Sequence, residues 1–267
     1  MANPAHVVHV VESAAEVATA AAQRVATLIG ASIADRGVTH VALAGGGTPK
    51  AMYAVLATLP GIDWSRVHLW WGDERCVPDT DKDSNQRTAR EALISRVAIP
   101  GANVHRVRTE LTPEACAEEY EAEIVRVVAG VEKSQVAQGV GVGLPPAALP
   151  APPSIDVLLL GIGTDGHTLS LFLGSPALDV RTRLVVATHA PATSPVRDRV
   201  TFTFPLARAA RHRVFLATGA EKKALIAACV GSPNAQSRGL PPTREGAAYP
   251  AALVGPAEWF LDRAAAP

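Results

Sequence analysis

The sequence has little aromatic content (4%) and little charge of either sign (19%), and only three cysteines in 267 residues. Sparse charge beside a hydrophobic fraction of 48% excludes a disordered chain, which needs the opposite balance. Cys76, Cys116 and Cys229 are far apart, with no C-x-x-C pair and no metal-like spacing, so they read as reduced, buried fillers, Cys76 beside its acidic-basic cluster being the exception to watch. Twenty-five basic and twenty-five acidic residues cancel, leaving no global field to recruit nucleic acid or anionic lipid. An anionic ligand has to be caught locally. No uninterrupted apolar run approaches the roughly 20 residues that span a bilayer, and MANPAHVVHVVESAAEV lacks the basic and apolar regions of a secretory signal. The expectation is a cytoplasmic protein with neither a membrane nor a nucleic-acid partner.

What the chain does have is alternation. Apolar runs with strand character, HVVHVV (6–11), THVALA (39–44), VHLWW (67–71), IDVLLL (155–160), RLVVATH (183–189), RVTFTF (199–204) and HRVFLA (212–217), are separated by segments with helical spacing. The helical segments are 13–34, 49–58, 84–97, 112–131 and 219–230, and a last helix is expected after Pro256, carrying Trp259 and Phe260 into the core. This is the pattern of βαβ units and a mostly parallel sheet. Residues 133–154, rich in Gly and Pro, read as an exposed, mobile insertion, and 231–246 resemble them. Because strands on both sides of that insertion are needed to complete one sheet, a single domain over 1–267 is expected.

Three stretches carry chemistry. In ALAGGGTPKAM, Gly45, Gly46, Gly47 and Thr48 lie between a strand and a helix whose first turn holds Pro49. Glycines let backbone N–H groups approach an anion, and the helix N-terminus adds about half a positive charge, which makes a phosphate seat. The blander reading is a tight turn with Thr48 as N-cap. In WWGDERCVPDTDKDSNQR, Asp73, Glu74 and Arg75 follow a strand, where open α/β sheets bind ligands, and Arg75 can fork onto a phosphate. The alternative there is a solvated loop with Asp83 or Ser84 capping the next helix.

The third stretch, GIGTDGHTLSLF (161–172), opens with G-x-G-x-x-G. A dinucleotide fingerprint needs an acid about 20 residues on, at the end of the next strand. That strand ends in His189 and Ala190, so the acid is missing. Asp165 and His167 sit instead in the crossing itself, where a Gly-rich loop has little core to fill and much ligand to meet. A metal reading of the histidines is weak: His6 and His9 fall on opposite faces of a strand, and His167 has no ligand type at i+3 or i+4. Arg197 and Arg199 enter a strand, and Gly219 to Lys222 open a helix; alone, either is equally ordinary surface charge.

Together these residues are similar to a known family. GGGTP (45–49), DER-x-VP (73–78) with SN at 84–85, GIGTDGHTLSLF (161–172), RVTFTFP (199–205), TGAEKKAL (218–225) and WFLDRAAA (259–266), in this order, resemble the 6-phosphogluconolactonases of the pentose phosphate pathway. The departures are the insertion at 133–154 and Leu173, where a proline is common. The resemblance implies a single Rossmann-like, three-layer α/β domain related to glucosamine-6-phosphate deaminases. It also implies hydrolysis of 6-phospho-D-glucono-1,5-lactone to 6-phosphogluconate, with no cofactor and no metal. The partner is then a phosphorylated sugar lactone, and the protein a monomer or small homo-oligomer.

On that reading Gly46, Gly47, Thr48, Arg75, Arg199 and Lys222 hold the phosphate, and Asp73 and Gly163 are further substrate-binding residues. His167 takes the proton of the attacking water, as an imidazole of reference pKa about 6.5 can near neutral pH. Asp165 either orients that imidazole or binds a sugar hydroxyl. Two rivals remain. The deaminases share a G-x-G-x-D-G-H loop but carry a glutamate five residues after the histidine, where this chain has Phe172. A non-catalytic sugar-phosphate sensor would carry a DNA-binding helix-turn-helix, for which a strand at residue 6 leaves no room.

Overall fold

A computed structural model describes residues 6–130, 153–231 and 248–267. The insertion expected at 133–154 therefore lies, but for its last two residues, outside the described residues, as does nearly all of 231–246. In chain order the elements are β1 (Val7–Val11), α1 (Ala14–Arg36), β2 (Thr39–Leu43), α2 (Gly47–Leu56), β3 (Val67–Trp71), β4 (Asp73–Arg75), α3 (Asn85–Ala92) and α4 (Pro113–Val128). After the undescribed stretch come β5 (Val157–Leu160), β6 (Val185–His189), β7 (Asp198–Phe202), α5 (Phe204–Ala209), β8 (His212–Ala217), α6 (Lys223–Val230), α7 (Pro250–Leu253) and β9 (Glu258–Asp262).

Six strands form a parallel sheet in the order β1-β9-β8-β5-β2-β3. It draws strands from both sides of 131–152. A parallel sheet is buried on both faces, so its strands read as continuous apolar runs. In β5, Val157 and Leu159 enter one core and Leu158 and Leu160 the other. The first core packs α1, α2 and α3 on the sheet; the second packs α4, α6, α7 and a small antiparallel sheet, β4-β7-β6, on the opposite face. The result is three layers. Fully burying a Leu or Phe side chain contributes about 1.5–3 kcal/mol, so each layer is held by many such contacts.

Local signals explain the element ends. Ser13 caps α1 by accepting the Glu16 N–H, and the helix stops where Gly37 turns left-handed at φ 80°. By length and composition alone α1 could cross a membrane. Val17, Ala21, Val25, Leu28 and Ile29 are instead buried against the sheet, the signature of a core helix.

Three expectations need correction. The segment after Pro256 is the strand β9, not a helix. Trp259 and Phe260 are chain neighbours buried in opposite cores, a placement that only a period of two can give. Trp259 stacks on Phe215 at 3.9 Å, and Phe260 stacks on His9 at 4.5 Å. The helix expected over 84–97 ends at Ala92, because Leu93, fully buried, leaves helical dihedrals at φ −131°; a 3-10 turn, Ile94–Arg96, follows. No helix opens at the loop after β5: residues 161–175 run as turns into a short 3-10 segment, Pro176–Asp179. Without a helix N-terminus there, the G-x-G-x-x-G run has no dipole to aim at a pyrophosphate, so it is no dinucleotide cradle.

The strand order reverses between β2 and β5. From β2 the chain moves outward to β3, and from β5 it moves the other way, to β8. The crevice beyond the C-terminal ends of such a pair is where open α/β sheets bind ligands.

Candidate active site

A cleft of about 490 Å³ opens at that crevice, lined by Gly46, Gly47, Thr48, Asp73, Arg75, Gly163, Asp165, His167, Arg199 and Lys222, whereas Glu74 and Arg197, also noted above, do not line it. Its first wall is the loop after β2. Gly46, at φ 102°, is the N-cap of α2, so Thr48 sits in the first turn and does not cap it. Pro49 occupies the first turn too, where its missing N–H costs nothing. The Gly47 and Thr48 amides, as the opening residues of a helix, have no intrahelical acceptor. The Thr48 hydroxyl is held 3.1 Å from that of Thr218, at the end of β8. Gly45 must be glycine for a steric reason: a Cβ there would lie 2.1 Å from Asn85 Oδ1.

The second wall is the antiparallel ribbon. Arg75 on β4 pairs with Arg199 on β7, which brings two guanidinium groups to one side of the cleft. Arg199 is buried, donating to the carbonyl of Val196 and to Ser194 Oγ. Burial, and then the neighbouring Arg75, lower its pKa. Arg75 donates one N–H to the Asp83 carbonyl at 2.6 Å, while its buried Nε finds no partner among the described residues. Asp73, one pleat away from Arg75, accepts the Ser170 hydroxyl at 2.6 Å and so ties this wall to the next.

The third wall is the loop after β5. Asp165 Oδ1 accepts both the His167 amide at 3.1 Å and the ring Nδ1 at 2.5 Å. An ionised carboxylate can only accept, so Nδ1 carries a hydrogen, and in the neutral form of the ring Nε2 holds the lone pair. Burial pushes the Asp165 carboxyl up, but the hydrogen bond and charge of His167 outweigh it and hold the group below the ordinary carboxylate range. The Phe172 ring packs against the imidazole at 4.5 Å. Gly163 makes room for that imidazole, since a Cβ would lie 2.2 Å from His167 Cε1 and Nδ1. Its N–H is committed to the His167 carbonyl at 2.9 Å, so Gly163 offers space to a ligand and not a donor. Leu169 holds a left-handed φ of 55°, rare outside glycine and Asn or Asp, within the same loop. Lys222 closes the far side from the turn after β8.

Several residues of this arrangement were not singled out from the sequence. Asn85 lines the cleft and donates to the Asp73 carbonyl. Ser170 joins the loop to the ribbon, and Tyr249 packs against Gly166, where a Cβ would lie 2.3 Å from its ring. Glu74, expected at the rim with Asp73 and Arg75, is instead buried behind the ribbon, because alternate residues of a strand face opposite ways. The SN dipeptide was a visible signal for Asn85.

A three-layer α/β fold whose switch-point cleft joins a glycine-rich helix start, a pair of arginines and a histidine–aspartate pair defines a class: α/β proteins with an anion-suited cleft beside a candidate acid–base pair. Comparison with known proteins narrows it. The profile described as "Glucosamine-6-phosphate isomerases/6-phosphogluconolactonase" matches residues 12–259, and the chain belongs to that family. It is 38% identical over 245 residues to a 6-phosphogluconolactonase of Synechocystis, covering 90% of this chain and 89% of that one. It is 36% identical over 251 residues to one of Mycobacterium tuberculosis, covering 92% of each. Among solved structures, a 6-phosphogluconolactonase from Trypanosoma cruzi superposes with a TM-score of 0.77 at 28% identity, covering 99% of this chain and 98% of that chain.

Proposed function

We propose that this chain hydrolyses 6-phospho-D-glucono-1,5-lactone to 6-phosphogluconate, with His167 as general base and acid. The observation that carries this reading is the Asp165–His167 hydrogen bond, which leaves Nε2 of the ring as a proton acceptor on the wall of a cleft whose other walls are built for an anion. The relatives named above carry the same activity in their names.

The chemistry follows from the geometry. The dianionic phosphate is received by Arg75 and Arg199, the first-turn amides of α2, Thr48 and Lys222, in charge-assisted hydrogen bonds. That anchoring directs the lactone carbonyl toward the loop after β5. Nε2 takes a proton from water, the resulting hydroxide attacks the carbonyl carbon, and a tetrahedral oxyanion forms. On its collapse the ring C–O bond breaks, and the imidazolium returns its proton to the leaving ring oxygen. Asp165 stabilises the imidazolium in between and fixes its tautomer. General acid–base catalysis of this kind supplies about 10²–10⁴ in rate. The amides of Gly163, Gly166 and His167 are committed within the loop, so the oxyanion takes its donors from elsewhere on the cleft wall. The aromatic Phe172 against His167, in place of a carboxylate, supports a lactonase over a deaminase.

An NMR time course of freshly made lactone tests the reading, run with and without the phosphate on the substrate. Acceleration well above background for the phosphorylated lactone alone is the expected result. Ammonia release from glucosamine 6-phosphate, or binding of the lactone without acceleration, would overturn it.

A further inference from the structure

Glu74 is the centre of the DER tripeptide, and strand alternation turns it away from the cleft that its neighbours Asp73 and Arg75 line. It is 2% exposed, yet it is thoroughly bonded. Its Oε1 accepts the N–H groups of Arg75 at 2.7 Å and Asn85 at 2.8 Å, and its Oε2 accepts that of Gln86 at 2.7 Å and the Ser84 hydroxyl at 3.4 Å. Asn85 and Gln86 open α3, so their amides have no intrahelical acceptor. The third opening amide, that of Arg87, goes to Ser84 Oγ. One carboxylate on β4 thus caps a helix that starts eleven residues later, and in the same act fixes the amide of Arg75.

Both ends of this clamp carry cleft residues. On the strand side stands Arg75. On the helix side stands Asn85, whose side chain donates to the Asp73 carbonyl and fills the space beside Gly45 that a Cβ there would occupy. The loop between them, 76–84, is further tied down by the Arg75 bond to the Asp83 carbonyl. We propose that Glu74 is a positioning residue for the anionic end of the substrate: it sets Arg75 and Asn85 in register with the glycine loop without touching the ligand. The cost of keeping the carboxylate there argues for a purpose. Burial raises the Glu74 carboxyl to about 7, against the pull of its three amide donors, with Asp73 raising it further.

This inference rests on the lactonase reading for its kinetic test but not for its binding test. In Glu74→Gln an amide nitrogen must face backbone donors. KM for the phosphorylated lactone is expected to rise about tenfold, as loss of a contact in a charged network does, with kcat within about threefold of wild type because none of the hydrogen-bond partners of Glu74 lies in the His167 loop. Calorimetric affinity for sulfate, a dianion that does not titrate near neutral pH, is expected to fall in parallel. Glu74→Asp, which keeps the charge but shortens the reach, is expected to recover part of both, and it decides the matter should the Gln variant not fold. Unchanged KM and sulfate affinity in the Gln variant, or in the Asp variant should the Gln variant not fold, would overturn the inference. So would equal losses in kcat and KM accompanied by a lower melting temperature, the mark of a merely structural role. A wild-type protein that binds sulfate but hydrolyses no lactone would refute the lactonase reading and leave the sulfate comparison to judge Glu74.

Discussion

Arg75 and Arg199 stand directly opposite each other across the β4–β7 ladder, cation facing cation. Among the described residues neither lies within 4.0 Å of a carboxylate. Like charges at opposed positions in an antiparallel pair destabilise it. The arrangement is held by backbone carbonyls, of Asp83 on one side and Val196 on the other, and on the function proposed above a dianion completes it.

Arg75→Met should therefore separate stability from binding. The fold is expected to stay within about 1 kcal/mol of wild type, because the removed repulsion offsets the lost Asp83 contact. KM for the phosphorylated lactone should rise at least about tenfold. Thermal denaturation and steady-state kinetics on the same preparation check both, and a destabilised enzyme with normal KM would contradict the assignment.

Gly163→Ala should damage catalysis through a residue that has no chemistry. The new methyl would lie 2.2 Å from the imidazole, which must swing away from Asp165. The expected loss in kcat is about 10²–10⁴, matching His167→Asn, with the melting temperature little changed. Retention of normal turnover by the Gly163→Ala protein would show that His167 does not need the orientation described.

Asp165→Asn tests the tautomer. An amide can donate as well as accept, so Nε2 loses its assured lone pair. A drop in kcat of about 10² or more with a smaller change in KM is expected. If kcat stays intact while KM rises, Asp165 serves as a ligand to a sugar hydroxyl instead.

His40 should set an acid limb of stability. Burial pushes its imidazole down to about 3, with His68, His105 and Arg36 adding to the effect. Trp70 Nε1 donates to its Nδ1, His105 binds Glu123, and the carboxylate of Asp156 accepts its backbone N–H. Between pH 3 and 6.5 the unfolded chain holds the proton that the native state refuses, so stability is full above 6.5 and falls as pH is lowered, by up to about 1.4 kcal/mol per unit. Glu74 acts with the opposite sign between 4.5 and 7, its stabilising effect fading as pH rises. Chemical denaturation of His40→Asn across this range should show a flatter acid limb than wild type.

Much of this was legible in the chain itself. Strands β2, β3, β5 and β8 announced themselves as apolar runs because a parallel sheet is buried on both faces. The glycine loop and GIGTDGH were legible because their residue types have few structural uses between a strand and a turn. β4 escaped notice because three charged residues do not look like a strand; pairing with β7 makes them one. β9 was misread because WFLD fits helical and extended periods alike over so short a run. Glu74 was placed at the ligand-binding rim with its neighbours for a different reason. Its meaning depends on amides eleven and twelve residues away, and spacing does not reveal where a loop will fold back.

The pairing of β1 bears on how the protein is made. Its parallel partner is β9, some 250 residues downstream, which also joins it to β8. β1 thus has no partner in the sheet until β9 has been made, and as the edge strand it keeps one side open, with Val7, Val8 and Val10 exposed, even after folding. Occupancy of that edge by a chaperone, or its capture by another nascent chain, is the hazard that this topology builds in.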